Sequence, residues 1–233
     1  MPIAIITGAS AGIGCATANL FVEAGFRVFN LSRRPCPGAE VENLPCDLRD
    51  DSSVGAAMSV LLPAIETADS VALVHNASQM LKDSALDCSD DALESVLGVN
   101  VLGINALNRR LLSHLPAGSS VIYVGSTLSE KAVAGAFSYV VSKHAQLGMM
   151  RATCQDMMGR GVHTALVCPG FTDTEMLRTH LGNDEAILSA IGGGNSYGRL
   201  VAPQEIAELI VWASAHPVIN GSVIHANLGQ KEV

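Results

Sequence analysis

Six short runs rich in β-branched and apolar residues, at 3–6, 27–31, 71–75, 119–123, 163–167 and 222–225, punctuate a chain of 233 residues. Longer amphipathic stretches at 12–24, 52–66, 92–114, 137–159 and 203–215 lie between them. A run such as VALVH (71–75) does not alternate polar with apolar side chains, so a strand built from it must be covered on both faces. Strands that alternate with helices pair in parallel through helical crossovers. The pattern predicts an α/β fold, a doubly wound parallel sheet of the Rossmann type, in a single domain over residues 1–233. Gly25 is placed to end the first helix and Pro203 to open the last. Residues 171–200 break the rhythm with a short helical piece and then IGGGNSYG. Placed after a strand's carboxyl end, this segment reads either as a lid over a substrate or as a plain connection.

Charge narrows the partners. Only 15% of residues are charged and the net charge is −8, which argues against a solvated coil and against an electrostatic nucleic-acid binder. Small molecules or further copies of the chain are the expected partners, and a mean hydropathy of +0.33 points toward an oligomer. No apolar run approaches the eighteen or so residues of a membrane span, so no membrane partner is expected. The six cysteines are scattered without C-x-x-C spacing, which fits reduced thiols and a cytoplasmic protein. No pair of histidines has metal-ligand spacing on one face, and no metal is predicted.

ITGASAGIG (6–14) follows the first strand and opens the first helix. Gly8, Gly12 and Gly14 permit a tight turn, let a pyrophosphate approach the backbone and present amide N–H groups at a positive helix end. A Walker loop would need Lys and then Ser or Thr after its last glycine; Cys15 and Ala16 stand there instead. The second strand ends in NLSRRP (30–35), where a dinucleotide's adenosine ribose would arrive. Ser32 takes the place of an acid, and Arg33 and Arg34 follow. A guanidinium matches a 2′-phosphate, so NADP(H) is preferred over NAD(H). Asp47, in PCDL, could cap the next helix or approach the adenine.

SYVVSK (138–143) places Tyr139 and Lys143 one helical turn apart on one face. With the glycine loop in the same chain, the sequence resembles the short-chain dehydrogenase/reductase family. The resemblance rests on TGASAGIG (7–14), HNAS (75–78), VNVLG (99–103), GS (125–126), YVVSK (139–143) and PGFTDT (169–174), and covers nearly the whole chain. It implies a catalytic tetrad of Asn100, Ser126, Tyr139 and Lys143. It also implies cofactor contacts from Thr7, Gly8, Ser10, Gly12, Ile13 and Gly14, from Ser32, Arg33, Arg34, Asp47 and Leu48, and from Asn76 and Ala77. Tyr139, Lys143, Pro169, Gly170, Thr172 and Thr174 complete that set. Lys143 would also hold the nicotinamide ribose, and Asn100 would seat a water that relays protons outward. Three departures stand out: His75 and Ser78 replace the usual Asn and Gly, Thr172 replaces an aliphatic residue, and no basic residue precedes Gly12.

A tyrosine with an ordinary pKa near 10 transfers protons poorly at neutral pH. An adjacent ammonium and an oxidised nicotinamide are expected to stabilise its phenolate, while Ser126 donates to the substrate oxygen. The resulting expectation is an NADP(H)-dependent oxidoreductase that interconverts a secondary alcohol and a ketone or aldehyde, assembled as a homodimer or homotetramer. Two rivals are an enoyl-thioester reductase, whose branch of the family spaces its tyrosine and lysine more widely, and a non-catalytic NADP(H)-sensing protein. Substrate choice is assigned to residues 171–200, 78–85 and 127–135.

Overall fold

The computed structural model describes residues 1–231. Seven strands, β1 (Ile3–Thr7), β2 (Arg27–Ser32), β3 (Val41–Pro45), β4 (Val71–His75), β5 (Ser120–Val124), β6 (His163–Pro169) and β7 (Ser222–Ala226), form one sheet in the order β3-β2-β1-β4-β5-β6-β7. Every pairing is parallel. The helices are α1 (Gly12–Glu23), α2 (Asp51–Glu66), α3 (Asp90–Leu97), α4 (Gly103–Leu111), α5 (Phe137–Asp156), α6 (Glu175–His180), α7 (Glu185–Gly192) and α8 (Pro203–Ser214). Side chains alternate across the sheet, so Ile3 and Ile5 enter a core layer with α2, α4 and α5, while Ala4 and Ile6 enter one with α1 and α8. Both faces are thereby covered, as expected of apolar runs without alternation.

β3 was not among the predicted strands. Its sequence VENLP is largely exposed and sits at the sheet edge, where burial on both faces is not required and no apolar run is left to read. The predicted helix at 92–114 is four pieces: between α3 and α4 the chain runs as a π turn over Gly98–Leu102, and after α4 it tightens to a 3-10 turn over Leu112–His114. The helix carrying Tyr139 ends at Asp156, so Met157 and Met158 lie beyond it. Residues 171–200 hold two short helices, α6 and α7, and the glycines at 192–194 are tied down: Asn195 Nδ2 donates to the Gly192 carbonyl and Lys231 N to that of Gly194. Among the described residues no helix is long and apolar enough to cross a membrane.

The sheet order reverses between β1 and β4, with β2 and β3 on one side and β5 to β7 on the other. In register, Ile6 faces Val74 and Val74 faces Ile122, so the carboxyl ends of β1, β4 and β5 form one rim. Loops leaving such a rim at a reversal diverge to opposite faces and leave a crevice between them.

Candidate active site

The glycine loop is fastened on both sides of that crevice. Gly8 N donates to the Leu31 carbonyl, and Ala9 N to Asn30 Oδ1 at 3.0 Å. Thr7, buried, receives Asn76 N and Ala77 N on its hydroxyl, each at 2.9 Å; Asn76 Nδ2 donates back to the Thr7 and Gly8 carbonyls, both at 3.0 Å. Thr7 and Asn76 therefore stitch β1 to β4. A Cβ at Gly14 would stand 2.4 Å from Asn76 Nδ2, and one at Gly8 2.9 Å from Ala77 Cα, with φ at Gly8 of +71° as a second reason for glycine. α1 begins at Gly12 with no side-chain cap and no acid in its first turn. The early N–H groups at Gly12, Ile13 and Gly14 keep their positive end open toward the crevice, beside Ser10, which suits a pyrophosphate.

The adenosine end is looser. Ser32 Oγ donates to the Arg34 carbonyl, Arg33 is exposed, and Arg34 pairs at 3.2 Å with Glu175 on α6. Asp47 does not cap α2; Asp50 does, accepting from Ser52 N. Asp47 instead accepts from Arg49 N, a bond that holds its carboxyl below the usual range, with Arg33 adding a smaller pull. Leu48 is buried, and a Cβ at Gly103 would stand 2.7 Å from its Cβ. Across the crevice, Gly170 N bonds the Ala226 carbonyl after Pro169 closes β6, and buried Thr172 donates to the Gly170 carbonyl and pairs with Val201. Thr174 caps α6 by accepting from Leu177 N, and a Cβ at Gly12 would come within 3.1 Å of its methyl.

Tyr139, Lys143, Asn100 and Ser126 come together at the ends of β4 and β5. Asp83 aims the helix: its carboxylate accepts from Ser138 N at 3.1 Å and its carbonyl from Phe137 N, which secures the start of α5. Ser126 Oγ accepts from Leu128 N at 3.1 Å, which leaves the hydroxyl hydrogen free to point into the crevice. Burial pushes the Tyr139 phenol up to about 12, and the smaller opposing pull of the nearby Ser126 and Ser78 hydroxyls does not offset it. Ser78 Oγ is itself buried with no hydrogen-bond partner among the described residues. Lys143 Nζ lies 5.3 Å from the Tyr139 ring centre and donates to the Val124 carbonyl at 2.8 Å and to Gln146 Oε1 at 3.1 Å. Burial lowers its pKa to about 7.

The expectation that Lys143 makes this phenol acidic is thus corrected for the protein alone. Desolvation acts on both groups and favours the neutral form of each. Asn100, wholly buried, accepts from Gln79 N on Oδ1 at 2.7 Å, and its Nδ2 donates to the Gln79 carbonyl and to Ser142 Oγ. Its own carbonyl accepts from Gln146 Nε2 at 2.9 Å. Sequence reasoning gave no role to Asn30, although it opens NLSRRP, and missed Asp83 and Gln146, which belong to no motif; only the polar character of Gln146 on the face shared by Tyr139 and Lys143 hinted at it. A cavity of about 440 Å³ opens between α6, α7 and the start of α8, lined by residues such as Asp173, Arg178, Leu188 and Arg199. None of the tetrad lines it.

The chain matches the family model described as enoyl-(acyl carrier protein) reductase over residues 8–231. It is 30% identical to carbonyl reductase family member 4 of Danio rerio over 95% of this chain and 94% of that protein. It is 28% identical to the 3-oxoacyl-acyl-carrier-protein reductase FabG of Vibrio harveyi over 97% and 96% of the two chains. Among solved structures, a short-chain dehydrogenase of Burkholderia cenocepacia in complex with NADP superposes with a TM-score of 0.87 at 25% identity, covering 98% of this chain and 97% of that one. The ligand-free aldohexose dehydrogenase of Thermoplasma acidophilum shares the fold with a TM-score of 0.90 at 24% identity, over 98% and 93% of the chains.

Proposed function

This chain belongs to the short-chain dehydrogenase/reductase family and is an oxidoreductase; on that premise we propose that it uses NADP(H) to interconvert a secondary alcohol and a ketone or aldehyde, with Tyr139 as the acid/base. The observation that carries this reading is that α5 buries Tyr139 with Lys143 Nζ 5.3 Å from its ring centre, and ties that ammonium to the Val124 carbonyl at the end of β5, two residues before Ser126. The open start of α1 and the close approach at Gly8 and Gly14 fit a dinucleotide pyrophosphate. Once bound, the nicotinamide supplies or accepts the hydride.

The residues handle the proton. Ser126 donates its free hydroxyl hydrogen to the carbonyl oxygen, which stabilises the negative charge that gathers there. Tyr139 then passes its phenolic proton to that oxygen, and the phenolate left behind is held by Ser78 and the Lys143 ammonium. A phenol pushed up to about 12 is protonated at neutral pH but a weak acid, so its proton moves only as negative charge gathers on the substrate oxygen. Arg33 and Arg34, beside Ser32, are suited to a 2′-phosphate. The carbonyl reductase and 3-oxoacyl reductase among the relatives support a carbonyl substrate. Enoyl-thioester reduction, favoured by the description of the family model, is the second reading; the four-residue step from Tyr139 to Lys143 counts against it. Exposed Leu102 beside α4, with Phe137 and Val141 on α5, supports assembly through these helices.

The test is NADPH oxidation with a panel of ketones, aldehydes, 3-oxoacyl thioesters and enoyl thioesters. Turnover of a carbonyl is expected. Consumption of enoyl thioesters alone would install the second reading, and tight NADPH binding with no turnover of anything would make the protein a sensor.

A further inference from the structure

Gln146 lies three residues beyond Lys143 on α5 and is 1% exposed. Both ends of its amide are engaged by groups of the site. Oε1 accepts from Lys143 Nζ at 3.1 Å, and Nε2 donates to the main-chain oxygen of Asn100 at 2.9 Å. That oxygen belongs to the π turn over Gly98–Leu102, where the ordinary helical ladder is interrupted, and π turns gather at functional sites. Asn100 is fixed from its other side by Gln79 and by Ser142, whose hydroxyl donates to the Tyr139 carbonyl at 2.8 Å. One amide therefore joins the turn that holds Asn100 to the cation beneath Tyr139.

An ammonium has three N–H donors. Val124 and Gln146 take two of them, so tetrahedral geometry aims the third. The titratable groups facing Lys143 are Tyr139 on its own helix and the Cys168 thiol on β6; Glu130, paired with His225, acts on Cys168 from further out. Among the described residues no carboxylate touches the ammonium, so its charge in the buried site depends on carbonyl oxygens.

We propose that Gln146 is a positioning residue for the reaction, an amide clamp that fixes the direction of the free Lys143 N–H and supplies one of the two oxygens that keep the buried ammonium charged. The role in turnover rests on the carbonyl-reductase reading above; the effect on Lys143 does not. Gln146→Leu keeps the volume and removes both bonds, whereas Gln146→Glu keeps an acceptor and adds charge.

The sequence has four lysines, Lys82, Lys131, Lys143 and Lys231, so ¹³Cε-lysine labelling gives few resonances, and that of Lys143 is assigned by its disappearance in Lys143→Arg. Lys143 is expected to titrate about one pH unit or more lower in Gln146→Leu than in the wild type, and higher in Gln146→Glu. In turnover, Gln146→Leu should lose roughly tenfold or more in kcat with little change in the KM for NADPH, the pattern of a lost transition-state interaction. If Gln146→Leu does not fold, the Gln146→Glu titration decides. An unchanged Lys143 titration in the folded variants overturns the clamp whatever the activity, as does a Gln146→Leu protein with wild-type kcat. A wild-type protein without turnover would overturn the carbonyl-reductase reading and leave the titration result standing.

Discussion

The two ends of the crevice each set a cation against oxygen, and they differ in everything else. Lys143 is 1% exposed and gives its protons to a carbonyl and an amide, whereas Arg34 and Glu175 pair with side chains 63% and 62% exposed. A solvated ion pair is worth about 0–1 kcal/mol. A buried polar group that loses its partner costs about 1–3 kcal/mol and more when charged. The proton end is therefore built to hold one arrangement, and the adenosine end to exchange partners cheaply when a phosphate arrives.

The largest effect should come from Tyr139→Phe, which removes the proton donor and keeps the ring. Steady-state turnover is expected to fall by about 10²–10⁴ while NADPH fluorescence still reports binding. A loss of only a few-fold would break the contrast at its rigid end.

His75 extends that end into the core. Its Nε2 meets Asn108 Oδ1 at 2.8 Å, and since Asn108 Nδ2 donates to the Tyr123 hydroxyl, Nε2 must carry the proton and leave Nδ1 bare and buried. Burial lowers the His75 pKa to about 4, below the unfolded value near 6.5. The unfolded state then binds more protons between those values, so stability falls as pH drops from 6.5 toward 4, by up to about 3 kcal/mol. Denaturant melts at pH 7 and pH 4.5 measure this, and His75→Gln should show a shallower fall.

At the exposed end, Arg33→Ala and Arg34→Ala should each weaken NADPH by roughly tenfold and leave NADH nearly unchanged, as expected for charge-assisted bonds to a 2′-phosphate. Equal losses for both cofactors would remove the phosphate argument. The smallest effect belongs to Glu175→Gln, which releases Arg34 from its present partner. NADPH should bind up to about fivefold tighter, and raised salt should erase the difference; weaker binding would mean that the pair holds the crevice in shape.

What could be read from the bare chain follows the same division. Strands β1, β2 and β4 to β6 carried an apolar signal because both their faces are covered, β7 showed one through Val223 and Ile224 although it lies at an edge and is only half-buried, and the glycine loop was legible because a Cβ at Gly8 or Gly14 has nowhere to go. β3 was not legible, since an edge strand with polar side chains resembles a loop. Gln146 and Asp83 escaped notice because each is an ordinary residue until the fold brings it to Asn100 or Ser138, 46 and 55 positions away. The direction of the Tyr139 pKa escaped for a related reason: a one-turn spacing says that two groups meet, and says nothing of how much water is left around them.

Thr174 leans on Gly12, so the first turn of α6 rests directly on the loop that precedes α1. Arg178, clasping Asp173 and Glu185, ties α6 to α7. A push on Thr174 is therefore passed through Arg178 to Glu185, so the loop before α1, α6 and α7 share one continuous line of support.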